Sequence, residues 1–203
     1  MDSLPPAKRR RESKDGETEA STLSPVVIFA HGAGAPSSSD WMQRWKNMIK
    51  EALRAVDVVT FDYPYMSAKK KAPPKAEKLV EFHSNFVKET ATKYPGHPLI
   101  LAGKSMGSRV GCMVASMKDI NVSAVVCLGY PLKGSKDGLC PLEKLETTRK
   151  KMKAPNELHV IDGGDHSFKI GKKHLQANNS TQDEVEDVAV LAIAAFISRS
   201  LEG

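Results

Sequence analysis

The sequence predicts an α/β fold: a three-layer sandwich with a mostly parallel sheet of about five strands and helices on both faces. Three observations carry this expectation. Short apolar runs without polar alternation, such as Pro25-Val26-Val27-Ile28-Phe29-Ala30, are what a strand buried on both faces requires. These runs alternate strictly with segments of helical periodicity, as in strand–helix–strand units. Glycine-rich and polar clusters follow the strands, where open parallel sheets gather their active groups.

The elements follow in chain order. Residues 1–24 are poor in large apolar groups and rich in Ser, Glu, Lys and Arg, so they are expected to form a disordered tail. Residues 25–203 form the folded domain. A strand ending at Ala30 leads to His31-Gly32-Ala33-Gly34. Asp40 to Arg54 reads as a helix, capped by Ser39 or Asp40, with Trp41, Trp45, Met48, Ile49 and Leu53 at helical spacing. Val56 to Phe61 is the second strand. Pro74 to Tyr94 is a helix with proline near its start, stopped by Pro95-Gly96-His97-Pro98. Leu99 to Ala102 is the third strand, Ser105 to Met117 a helix and Ala124 to Leu128 the fourth strand. Pro141 to Met152 is helical, Leu158 to Ile161 is a fifth strand, and Thr181 to Ser200 is the last helix. Its inward face is expected to carry Val185, Val188, Ala189, Ala192 and Phe196.

Composition narrows the function classes. The 203 residues suit one domain plus a tail, and 40% hydrophobic content supplies a core. Apolar runs stay strand-sized, short of the ~20 residues a membrane-spanning helix needs, so no membrane association is expected. No apolar stretch follows the charged N-terminus, so no secretory signal is expected. The net charge is +6. In the tail, Lys8, Arg9, Arg10, Arg11 and Lys14 balance Asp2, Glu12, Asp15, Glu17 and Glu19, so the excess lies in the body. Its lysines, around 69–78 and 133–153, are not interleaved with aromatics, which speaks against nucleic acid. Pro5-Pro6-Ala7-Lys8-Arg9-Arg10-Arg11 looks like a short nuclear-import signal. Cys112, Cys127 and Cys140 fit neither a disulfide framework nor a zinc site. They read as reduced thiols of a cytoplasmic or nuclear protein, and no metal or cofactor is expected.

The chemistry is carried by three strand ends and one later loop. Gly103-Lys104-Ser105-Met106-Gly107 lies between a strand and a helix, the setting of a nucleophile elbow. The turn lifts the Ser105 hydroxyl off the sheet, crowds both glycines together, and aims the Met106 N–H at a developing oxyanion. His31-Gly32-Ala33-Gly34-Ala35 suits the loop that donates the second oxyanion N–H, assigned to Ala33. Asp162-Gly163-Gly164-Asp165-His166-Ser167-Phe168 puts a histidine where a general base belongs. The other histidines read more plainly: His31 opens the oxyanion loop, His83 is mid-helix, His97 lies in a turn, His159 in the last strand and His174 in a basic loop. Asp137, in Gly134-Ser135-Lys136-Asp137-Gly138, is the candidate acid. The order Ser105, Asp137, His166 is that of α/β-hydrolases. Asp165 is a reserve acid, awkwardly adjacent to His166. Lys104 either lends positive charge to the site, or points to solvent or pairs with an acid.

Two rival motifs fail. A P-loop ending in Gly103-Lys104-Ser105 needs a glycine where Pro98 stands. A dinucleotide fingerprint at Gly32-Ala33-Gly34 lacks its third glycine.

The chain resembles the small α/β-hydrolase-like family of testis-expressed protein 30, whose fold is shared by subunit 3 of the non-specific-lethal histone acetyltransferase complex. The resemblance covers about residues 25–200. It rests on His31-Gly32-Ala33-Gly34-Ala35-Pro36, Phe61-Asp62-Tyr63-Pro64-Tyr65, Gly103-Lys104-Ser105-Met106-Gly107-Ser108-Arg109, Gly129-Tyr130-Pro131-Leu132 and Gly163-Gly164-Asp165-His166-Ser167. It implies a serine-hydrolase scaffold with Ser105 as nucleophile, His166 as base and Asp137 as acid. It also implies relatives that serve in chromatin complexes without evident catalysis.

One departure stands out. In the family pattern a helical excursion and a further strand separate Gly-Tyr-Pro-Leu from the acid loop. Here Leu132-Lys133 runs straight into Gly134-Ser135-Lys136-Asp137, as though an exon had been skipped. Either the last strand shifts into the vacant place beside the fourth, displacing His166 by about 4.8 Å, or the edge stays open. The expected function is hydrolysis of an ester or thioester on a small acyl-bearing substrate. The alternative is a non-catalytic module that binds protein partners, in the nucleus or elsewhere.

Overall fold

The computed structural model describes residues 23–68, 72–130 and 142–202. Expectations placed on Asp137, on Cys140 and on residues 1–22 of the tail therefore lie outside the described residues.

Four parallel strands form the sheet among the described residues: β1 (Val26–Ala30), β2 (Asp57–Phe61), β3 (Leu99–Lys104) and β4 (Ala124–Leu128), in the order β2-β1-β3-β4. The register runs Val26 opposite Asp57 and Leu99, and Ile100 opposite Ala124. All five residues of β1 are fully buried, because helices cover both faces. Successive side chains alternate between those faces. Val26, Ile28 and Ala30 enter one core with Leu79, Val87, Val110 and Val114, while Val27 and Phe29 enter the other with Trp45, Ile49, Ala189 and Ile197.

The first core is roofed by α3 (Val80–Lys93) and α4 (Met106–Ala115), the second by α1 (Asp40–Ala52) and α7 (Gln182–Glu202). Helix α1 buries Met42, Trp45 and Ile49, one stripe at helical spacing. The Pro74–Tyr94 expectation resolves into a 3-10 turn (Ala76–Leu79) followed by α3. Three short helices complete the fold: α2 (Pro64–Ser67), α5 (Leu142–Arg149) and α6 (Lys172–Ala177). Neither α2 nor α6 was expected, and His174 lies in α6 rather than in a loop.

Two expectations need correction. Leu158–Ile161 forms no strand, so the sheet has four described strands rather than about five. A strand exists only with a hydrogen-bonded neighbour, and this segment has none. It runs as irregular chain with Val160 exposed and only Ile161 packed toward the α1–α7 core. The shifted-strand outcome is thereby excluded, and His159 is not a strand residue. On helix α7 one expected inward position differs: Val188 is 55% exposed, whereas Ala189 is buried, Phe196 packs on the core and Val185 and Ala192 are half-buried, with Glu186, Val190 and Ile197 also facing inward. Arg44 on α1 meets this helix. Its Nε and Nη2 donate to Glu186 and Asp183, each at 2.7 Å, drawing Glu186 into the interface.

Candidate active site

The carboxyl ends of β1, β3 and β4 converge on Ser105. Its backbone sits at φ 51° and ψ −110°, a region L-residues avoid at a cost of about 1–3 kcal/mol. The two flanking glycines explain how the turn closes. A Cβ on Gly103 would stand 2.3 Å from the backbone of Gly107 and Ser108, and one on Gly107 would stand 2.5 Å from the Ala30 carbonyl oxygen. Only glycine fits at either place. The Ser108 hydroxyl donates to the Gly103 carbonyl, and the Ser105 N–H donates to the Leu128 carbonyl at 2.8 Å. The serine is thus bound to both sides of the turn and to the end of β4.

Met106 is the first residue of α4, where backbone N–H groups have no partner within the helix. The loop bearing Ala33 lies alongside: a Cβ on Gly32 would be 3.6 Å from the Ser105 Cβ. This loop is held from three directions. The Tyr65 hydroxyl donates to the Ala33 carbonyl at 3.0 Å, Asp62 Oδ1 accepts the Ser37 N–H at 2.7 Å, and the Gln43 amide donates to the Ser37 carbonyl at 2.8 Å. Beneath it, fully buried His31 accepts the Tyr63 N–H at Nε2 (3.1 Å), and its Nδ1 donates to the Gly32 carbonyl (2.5 Å). Burial pushes the His31 pKa down, so the ring is neutral and structural. The Asp62-Tyr63-Pro64-Tyr65 run is therefore a support for the loop carrying Ala33.

His166 reaches the same sheet end. Gly129, which follows β4 with φ +67°, lets the His166 ring lie close: a Cβ there would be 3.3 Å from Cε1. The turn around His166 is built by its own side chains. Asp165 Oδ1 accepts the Ser167 and Lys169 N–H groups at 2.7 and 3.0 Å, which commits the reserve acid to the turn. Gly164 and Ile170 bridge antiparallel. Trp41 Nε1 donates to the Ser167 carbonyl at 2.9 Å, and the Gln182 amide donates to the Phe168 carbonyl at 2.8 Å. Phe168 rests on Trp45, ring centroids 5.3 Å apart.

Lys104 joins the serine and histidine loops. It is 8% exposed, and its ammonium donates to the His166 carbonyl. That ammonium also lies 4.6 Å from the Trp41 ring centroid and 4.8 Å from that of Phe168, within cation–π range. It does not point to solvent, and no ion pair joins it to an acid among the described residues. Burial lowers the Lys104 pKa to about 8, against a smaller upward pull from Asp165. Burial also lowers that of His166, the nearby Lys104 charge adds to the effect, and Asp165 opposes it. His166 Nε2 is buried without a hydrogen-bond partner among the described residues. Trp41 and Phe168 were missed as site residues, and Lys104 was weighed there without these partners. Trp41 read as one apolar position of an amphipathic helix, and Lys104 finds an acceptor 62 residues away, which no local pattern announces.

The alpha/beta hydrolase domain family matches residues 24–135. The fold is similar to that of an alpha-beta serine hydrolase homologue from Coxiella burnetii, at 15% identity and a TM-score of 0.59, over 88% of this chain and 86% of that one. It is also similar to a protein of the alpha/beta hydrolase superfamily from Xanthomonas campestris pv. campestris, at 16% identity and a TM-score of 0.55, over 83% of this chain and 99% of that one. With its four-stranded parallel sheet and its serine turn between β3 and α4, the chain belongs to the alpha/beta hydrolase domain family.

Proposed function

We propose that the protein is a serine hydrolase that cleaves an ester or thioester of a small acyl-bearing substrate. The observation that carries this reading is Ser105, held at φ 51° by two glycines that no larger residue can replace. Strain of this kind is kept where it exposes a reacting group. In the proposed reaction Ser105 Oγ attacks the acyl carbon and His166 Nε2 takes its proton. The N–H groups of Met106 and Ala33 hold the oxyanion. Asp137 orients the His166 ring, and the ring then protonates the leaving group. A lowered His166 pKa favours the neutral base.

The test is labelling of the full chain with a fluorophosphonate probe. Labelling that disappears in Ser105→Ala supports the reading; well-folded protein that stays unlabelled overturns it.

The proposal extends to the chain's ancestry. It reads as a shortened member of the testis-expressed protein 30 group, missing the strand that would follow β4. Two facts support this: the family match ends at residue 135, and among the described residues no strand pairs with the outer edge of β4. The same open edge favours a second reading, a non-catalytic module that docks protein partners in the cytoplasm or nucleus. Deleting Lys8–Arg11 and following the protein's location tests the import signal: an unchanged location defeats the signal, and protein absent from the nucleus even with the segment intact defeats the nuclear part.

A further inference from the structure

Cys112 and Cys127 lie 15 residues apart and on different elements, yet the fold brings their sulfurs to 3.5 Å. Cys112 is on α4, the helix that Ser105 opens, and Cys127 is the penultimate residue of β4. Both are thiols in the structure, Cys127 exposed and Cys112 half-buried. A disulfide needs its sulfurs at about 2.05 Å, so the remaining ~1.5 Å is within reach of side-chain rotation. Among the described residues no group of three His, Cys, Asp or Glu could hold a metal, so a closed metal site lacks its further ligands.

We propose that Cys112 and Cys127 are a dithiol site that hydrogen peroxide oxidises to a reversible intramolecular disulfide joining α4 to β4. The hydrogen bond between the two sulfurs holds the Cys112 thiol below its ordinary pKa, against the opposing effect of burial. One of the two is the attacking thiolate and the other resolves it. The first sulfur attacks the peroxide oxygen, the O–O bond breaks, and water leaves after proton transfer, giving a sulfenic acid. The second sulfur then attacks the first and expels a second water. Two thiols lose two electrons and two protons, and one peroxide becomes two waters. A small dithiol or glutathione reverses the bond by exchange. This site stands independently of the hydrolase reading, since neither thiol belongs to the proposed triad.

The experiment uses the full chain, reduced, freed of reductant and titrated with hydrogen peroxide. Intact mass should fall by two hydrogens. Non-reducing peptide mapping should link Cys112 to Cys127, and dithiothreitol should restore the starting mass. Closing a loop of this length should raise Tm by roughly 5–10 °C. A Cys140→Ser chain should respond in the same way. In at least one of Cys112→Ser and Cys127→Ser, the sulfenic acid of the remaining thiol should persist and take up a 1,3-diketone probe. No mass loss in the Cys140→Ser chain overturns the proposal. So does a link that runs only to Cys140, or a diketone adduct at Cys140 with both Cys112 and Cys127 untouched.

Discussion

At the scale of single residues, steric demand and buried charge decide most outcomes. Gly103→Ala and Gly107→Ala each drive a methyl group into backbone, which cannot retreat as a flexible side chain would. Each is expected to lose more than about 3 kcal/mol in urea unfolding, or to fail to fold. This severity is why the turn was legible from sequence: few residues can occupy those places. Lys104 offers a different test. Its charge depresses the His166 pKa, after burial as the larger cause. Lys104→Met should move the His166 ring titration, followed by NMR, upward toward its ordinary value. An unmoved midpoint would show that the charge is not felt there. His83 is fully buried against the Tyr63 hydroxyl, and burial lowers its pKa from 6.5 to about 4. The folded state therefore binds fewer protons than the unfolded state in that window. Stability is full above about pH 6.5 and falls as pH drops toward 4, by up to roughly 3 kcal/mol. His83→Asn should flatten that part of the pH–stability curve; an unchanged slope would place the titration elsewhere.

At the scale of elements, what a sequence discloses depends on how local the cause is. Strand β1 announced itself because burial on both faces leaves a continuous apolar run. Leu158–Ile161 carries a similar short run but lacks a neighbour to bond, and no run of residues states whether a neighbour is present. The inward place of Glu186 was equally hidden, because its partner Arg44 lies in another helix. That arrangement predicts an asymmetry. Arg44→Ala leaves the Glu186 carboxylate at 6% side-chain exposure without its cation, and should cost about 1–3 kcal/mol in thermal unfolding. Adding Glu186→Gln should recover part of that loss, since the remaining amide carries no charge. If the double variant is as unstable as the sum of the two, the pair is not coupled.

At the scale of the whole molecule, the fold is a three-layer sandwich whose sheet has β2 at one described edge and β4 at the other. An apolar strand of about five residues inserted before Ser135 should pair with β4 and raise Tm by roughly 5 °C. No gain would count against the shortened-variant proposal. The fold class was legible throughout, because strand–helix alternation repeats along the chain. The strained turn at Ser105 and the glycine-rich loop bearing Ala33 were legible from local spacing. The bracing of His166 by Trp41, Lys104 and Gln182 was not, because those partners meet only after the layers assemble.

That bracing bears on what sets the place of the histidine. The turn that presents His166 takes its anchors from α1, from α7 and from the residue preceding Ser105, and none of the anchors described comes from a strand beyond β4. Among the described residues, the placing of the histidine is thus uncoupled from the width of the sheet, and the spacing between the two loops is set by the reach of a single lysine side chain.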